Sequence, residues 1–254
     1  MQIKPSPILK TFWQKQGISF NAIAWVTVFA LGIPRFILVL SAQLTQAYGA
    51  VMIIFLLMWL APFVFLNKAG RQAIGMVKPK SSLGLLYSFL LGTAVCLSGY
   101  MVSKWFYHDS MQNWLIYMSS AYKVPSQALQ GSGRHLYFLI YAITAMTFSP
   151  VGEELFYRGI VQEGFKEKMG AVKASNLDSL VFALTHLAHF GIVYVGGAWQ
   201  LFWMPALLWM VFMFLSSKVF FWCKERSGSL WGAISCHAGF NCCMMYLVFY
   251  QIFK

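Results

Sequence analysis

The sequence predicts an all-α protein, a polytopic bundle of about seven transmembrane helices with an amphipathic helix at the membrane interface. Two observations carry that prediction. Hydrophobic residues make up 59% of the 254-residue chain and charged residues only 10%, where an average soluble domain has roughly 25% charge. The apolar residues also fall into runs of about twenty, the length a helix needs to cross a bilayer. The 18% aromatic content suits helices anchored at both interfaces by Trp and Tyr.

Residues 1–17 are basic, and Ile8, Leu9, Phe12 and Trp13 are spaced to share a helical face, which predicts a short interfacial helix. Spans are expected at 18–40, 48–66, 82–103, 134 to the Glu153-Glu154 pair, 176–194, 198–217 and 229–253. Arg35 lies roughly 25 Å along the first span at 1.5 Å per residue. That sets it near the far interface, where its side chain can snorkel. In the long connection 104–133, Met111, Trp114, Leu115, Met118 and Tyr122 follow helical spacing. They predict an amphipathic helix lying on the membrane, a candidate lid. Pro150 and Gly152 mark a kink or a new helix start in the fourth span. No repeat or low-complexity tract divides the chain, so one integral membrane domain, 1–254, is expected, with a motif-bearing core at about 134–254.

The net charge of +12 would point to nucleic acid in a soluble protein. Here the basic residues sit between apolar runs, so no nucleic-acid partner is expected, and the lipid bilayer takes that place. With seven spans, the segments on the N-terminal side hold fourteen of the nineteen Lys and Arg, and the other side four. The positive-inside rule then puts the N-terminus in the cytoplasm and the C-terminus outside. A multi-pass protein of the cell (inner) membrane of a prokaryote is expected, without a cleavable signal peptide. The five cysteines lie in or beside apolar runs without C-x-x-C spacing and read as packing residues.

Only seven Asp and Glu occur, and two of them, Glu153 and Glu154, stand side by side against an apolar run. A carboxylate there is unfavourable unless paired. Glu154 and Arg158 are i and i+4 on a helix and can pair. Glu153 points about 100° away and is left for another task. His186 follows Phe182 by four residues, and Asn241 follows His237 by four, so each pair shares a face. Counted from the inner ends of their spans, His186 and His237 lie roughly 14 and 12 Å deep, where two helices can bring them together. Glu153 is expected near the cytoplasmic end of its span. A carboxylate and a histidine can hold and deprotonate a water. A second histidine and an asparagine amide can donate to the oxyanion that forms when that water adds to a carbonyl. Glu153, His186 and His237 can alternatively be drawn as three zinc ligands with an open position for water, although H-E-x-x-H spacing is absent. His189 is a weaker candidate for the same site. Cys236 cannot serve with its neighbour His237, because i and i+1 side chains diverge on a helix.

Glu153-Glu154-x-x-x-Arg158, Phe182-x-x-x-His186 and His237-x-x-x-Asn241 resemble, in order and spacing, the three motifs of the CPBP family. These are the CAAX-protease and bacteriocin-processing membrane proteins, also called Abi proteins. Gly228-Ser-Leu-Trp-Gly232 resembles the lead-in to the third motif, and the resemblance covers about 149–245. It implies a glutamate-dependent intramembrane endopeptidase without a metal cofactor, with zinc as the alternative. Glu153 and His186 would activate water, His237 and Asn241 would be oxyanion donors, and Glu154 and Arg158 would organise the site. The implied partner is a membrane-associated protein or peptide substrate, a C-terminal tail or a peptide precursor. Two other classes compete. One is a non-catalytic bacteriocin-immunity or scaffold membrane protein that keeps the site as structure. The other is a transporter, which would show paired interrupted halves that this sequence lacks.

Overall fold

A computed structural model describes residues 6–253. It is almost entirely helical, as the composition predicts. Five helices are long and apolar enough to cross a membrane: Phe20–Thr45, Ser82–Tyr107, Ser132–His186, Trp203–Ser227 and Leu230–Ile252. Gly49–Phe65 is apolar but one residue short of that length class. The 55-residue helix Ser132–His186 breaks at Gly170, whose φ of 77° leaves helical space. Each of the seven expected apolar segments contains a helix, while five helices satisfy length and apolarity.

Several expectations are corrected. The fifth span does not run to residue 194, because its helix ends at His186. The chain then forms an antiparallel hairpin, Ile192–Val195 with Ala198–Leu201. Gly196 and Gly197 close it with φ of 63° and 81°, the left-handed pair that tight hairpins require. The sixth span starts at Trp203 rather than residue 198. The long connection does not form an amphipathic helix on the membrane. It holds only the short α-helix Trp114–Ser119 and a 3-10 turn, Ser126–Leu129, and Trp114 is fully inside, against Phe190, Trp209 and Phe212. At the N-terminus only Thr11–Lys15 is helical, and residues 1–5 lie outside the described residues. Leu9 instead bridges to Leu66, and Asn67 Nδ2 donates to the Leu9 carbonyl.

Leu230–Leu247 packs against Ser82–Tyr107, Ser132–Glu154 and Trp203–Ser227. Small residues allow this. A Cβ on Gly239 would stand 2.0 Å from the Phe89 carbonyl oxygen, and one on Gly92 1.7 Å from that of Cys236. The two helix backbones thus touch, the packing that membrane helices use where hydrocarbon offers no hydrophobic drive. Hydrogen bonds gather the basic connections at one end of the bundle: Asn21 to Gly164, Lys80 to Ser227 and Leu230 to Gly75. At the other end, Tyr117 donates to Gln43, and its oxygen accepts from the Tyr194 amide. Burial pushes the Tyr117 phenol up, which keeps its proton available for Gln43. Arg158 and Lys224 are buried among the helices.

Candidate functional site

The Glu-Glu pair is not at the end of its helix. Ser132–Glu154 runs directly into a π-helical stretch, Leu155–Val161, and on into Gln162–His186. Pro150, which lacks an N–H, lies inside this helix without ending it, and π-turns of this kind concentrate at functional sites. Gly152 brings Gly49–Phe65 close, since a Cβ there would lie 2.8 Å from the Phe55 carbonyl oxygen. Glu153 is fully buried in the bundle, with the helix continuing past it.

The two carboxylates diverge as adjacent helical residues must. Glu154 meets Arg158, with Nε 3.2 Å from Oε2, an ion pair whose angle is not that of a hydrogen bond. Its Oε1 lies 2.8 Å from His237 Nδ1. Arg158 also faces Asp178, at 3.7 Å, and its guanidinium carbon sits 4.5 Å from the centroid of Phe182. Arg158 Nη2 donates to the Ser217 carbonyl. Glu154, Arg158 and Asp178 are all 0% exposed. One guanidinium lies between the two carboxylates and offsets part of their mutual repulsion.

Glu153 turns the other way and is not left unpaired. Arg35 Nη2 donates to its Oε1 at 2.7 Å, and Ser149 Oγ donates to the same oxygen at 3.1 Å. Arg35 is 1% exposed, which overturns its placement at the far interface. The helix extends to Thr45, so position 35 is interior. The π-helical turn Val28–Gly32 just before it and Pro34 set the direction in which the chain presents this side chain.

His186 completes this half of the site. Its Nδ1 lies 2.7 Å from the Phe182 carbonyl oxygen, which accepts only if Nδ1 carries the proton. The facing Nε2 then has a lone pair, 3.8 Å from Glu153 Oε2. Trp209 Nε1 donates to the His186 carbonyl at 2.9 Å and fastens the helix end. His189 joins the group through the turn, its Nε2 3.4 Å from Arg35 Nη2. Asn241 Nδ2 donates one proton to the Ala145 carbonyl at 2.8 Å and keeps a second. His237 stacks on Phe220, centroids 4.7 Å apart.

Part of this group faces one cavity of about 470 Å³. Glu153, His186, His237 and Asn241 line it, with Arg35 and His189. Glu154 and Arg158 lie behind the wall, where they hold His237. Every residue singled out from the sequence is thus in one cluster. Two more belong to it. Asp178 lies four residues before Phe182 and eight before His186, an acid in an apolar run on the same helical face, and that spacing was the available signal. Arg35 was signalled by being the one charge inside the first span. Among the described residues, no three His, Cys, Asp or Glu side chains are grouped to hold a metal ion. Glu153, His186 and His237 are instead engaged by Arg35, the Phe182 carbonyl and Glu154 respectively.

The family model described as type II CAAX prenyl endopeptidase, Rce1-like, matches residues 135–243. No curated protein and no solved structure matches the chain. The matched segment contains all three motifs and the cavity face they form, and it agrees with the CPBP resemblance. Over this motif-bearing segment the chain, an integral membrane protein, is similar to the Rce1-like type II CAAX prenyl endopeptidases.

Proposed function

We propose that this protein is an intramembrane endopeptidase that hydrolyses a peptide bond with a water activated by Glu153 and His186. One observation carries the reading. Glu153 Oε2 has no hydrogen-bond partner among the described residues, and it faces the His186 Nε2 lone pair at 3.8 Å on the cavity wall. Two acceptors at that separation suit a single water that donates to both. The water oxygen adds to the substrate carbonyl carbon as its proton passes to Glu153 or His186. The tetrahedral oxyanion accepts hydrogen bonds from the second Nδ2–H of Asn241 and, when the ring is doubly protonated, from Nε2–H of His237. Collapse breaks the C–N bond, and the captured proton moves to the leaving amine. Glu154 supports His237 from behind, and Arg158 supports Glu154. No metal is needed for these steps, and zinc on Glu153, His186 and His237 is the alternative. The substrate is a membrane-associated protein or peptide, and C-terminal tails and peptide precursors are the two classes to test.

Purified protein in detergent should cleave a prenylated C-terminal peptide or a precursor peptide, and the activity should survive a chelator. Activity lost to the chelator and regained with zinc would replace the metal-free mechanism with the zinc one. Cleavage of neither substrate class would favour the immunity or scaffold reading. The basic end of the bundle is proposed to face the cytoplasm. Cysteines introduced at Lys78 and Lys123 should then label from opposite sides of the membrane, and labelling from the same side would overturn that topology.

A further inference from the structure

We infer that Arg35 is the receptor for a carboxylate carried by the substrate, the C-terminal carboxylate of a peptide tail, and that capturing it frees Glu153 to act as base. The inference rests on the protease reading above. Arg35 comes from the first long helix and lies outside the matched segment 135–243, so the family match does not assign it.

A guanidinium has five N–H donors and stays charged at any working pH. Arg35 Nη2 is committed to Glu153 at 2.7 Å and approaches His186 and His189. Nε and Nη1 have no hydrogen-bond partner among the described residues, although the side chain is 1% exposed. Buried donors are normally paired, so this half of the guanidinium calls for an acceptor the protein does not supply. The cation is not there only to neutralise Glu153, because one nitrogen already does that. Of the other buried carboxylates nearby, Glu154 and Asp178 are faced by Arg158. The cavity beside Arg35 is walled by Met52, Phe55 and Phe148, which suits apolar side chains flanking an anionic end. Lys123 also lines the cavity, but it is exposed and its charge is screened by solvent.

The geometry also explains how such a site would act on the reaction. Arg35 Nη2 holds Glu153 Oε1 at 2.7 Å, so that oxygen is occupied while the pair stands. A second carboxylate on Nε and Nη1 shares that charge and repels Glu153. Glu153 is then released from the pair and turns to the water. Substrates without a terminal carboxylate would leave Glu153 paired and slow.

The test compares one apolar octapeptide that the protein cleaves, as the free acid and as the C-terminal amide. The wild type should prefer the acid in kcat/KM on the order of tenfold or more, the range for a hydrogen bond to a charged group. Arg35→Gln should bring the two substrates within about twofold of each other by losing that hydrogen bond, while Lys123→Gln should leave the preference in place. Binding is read separately. The tripeptide Leu-Leu-Leu as acid should raise the Tm of the wild type, and its amide should not. Equal handling of acid and amide by the wild type in both measurements would overturn the inference and leave the protease reading standing. Preference lost in Lys123→Gln and kept in Arg35→Gln would also overturn it. Binding preference for the acid without cleavage of any peptide would sustain the carboxylate site and sink the protease reading. Should Arg35→Gln fail to fold, the wild-type comparison decides alone.

Discussion

Glu153→Gln is expected to lower cleavage by about 10²–10⁴-fold, the range for loss of a general base, with a smaller loss of stability than an apolar substitution brings. The amide oxygen of glutamine can still accept from Arg35 Nη2, which now donates to Oε1 at 2.7 Å. The proton-accepting oxygen facing His186 is what disappears. Glu153→Leu should differ in one respect. Both variants remove the counter-ion of Arg35, 1% exposed, but Glu153→Leu removes its hydrogen-bond acceptor as well, and breaking such a buried pair outright costs about 3–5 kcal/mol. Turnover of a peptide that the wild type cleaves and thermal melting in detergent separate the two variants. Full cleavage by Glu153→Gln would remove this residue from the mechanism, and the scaffold reading would take precedence.

Arg158→Ala is expected to have the largest effect on folding of any change in the site. It strips the one cation placed between Glu154 and Asp178, both 0% exposed. Losing one partner of a buried pair costs about 3–5 kcal/mol, and here two carboxylates lose theirs. It also removes the guanidinium stacked on Phe182 at 4.5 Å. Arg158→Lys should not restore stability, because an ammonium has neither the planar face nor the lateral nitrogen that meets Glu154. Asn241→Ala is the contrast. It should lower turnover by about 10²–10³ through loss of one oxyanion donor. Its structural loss is one hydrogen bond to a helix carbonyl, worth about 1 kcal/mol. Folded yield and Tm should therefore fall for Arg158→Ala and hold for Asn241→Ala. A stable, inactive Arg158→Ala protein would mean that the buried network does not support the fold.

Much of the site was legible in one dimension because its chemistry is arranged in helical turns. Glu154 with Arg158, Phe182 with His186, and His237 with Asn241 are each i and i+4, and that spacing alone puts each pair on one face. The structure keeps all three faces, and the Phe182 backbone even orients the His186 ring. The hairpin at 192–201 was less visible. Its Gly196-Gly197 turn lies in a run apolar enough to pass for the edges of two spans, and hydropathy does not distinguish a buried strand from a helix end. The helix expected in 104–133 failed for a related reason. Its apolar face covers the bundle interior at Trp114, Leu115 and Tyr117, and a periodic pattern does not say whether lipid or protein receives it.

By itself, the amino-acid sequence determined that this is a helical membrane protein, where its apolar helices lie, and which six polar residues form its motifs. Those properties depend on composition and on spacing along one helix. The tertiary structure alone decided the partner of Glu153. Distance along a helix gives depth but not direction, so Arg35, 118 positions away in the chain, could be placed at the interface or in the site with equal consistency. The π-helical turn before it and the packing of the first helix on the motif helix point it inward. In a low-dielectric interior, a guanidinium and a carboxylate 2.7 Å apart stabilise each other's charge. That contact depends on how two helices meet, which no spacing within either helix records.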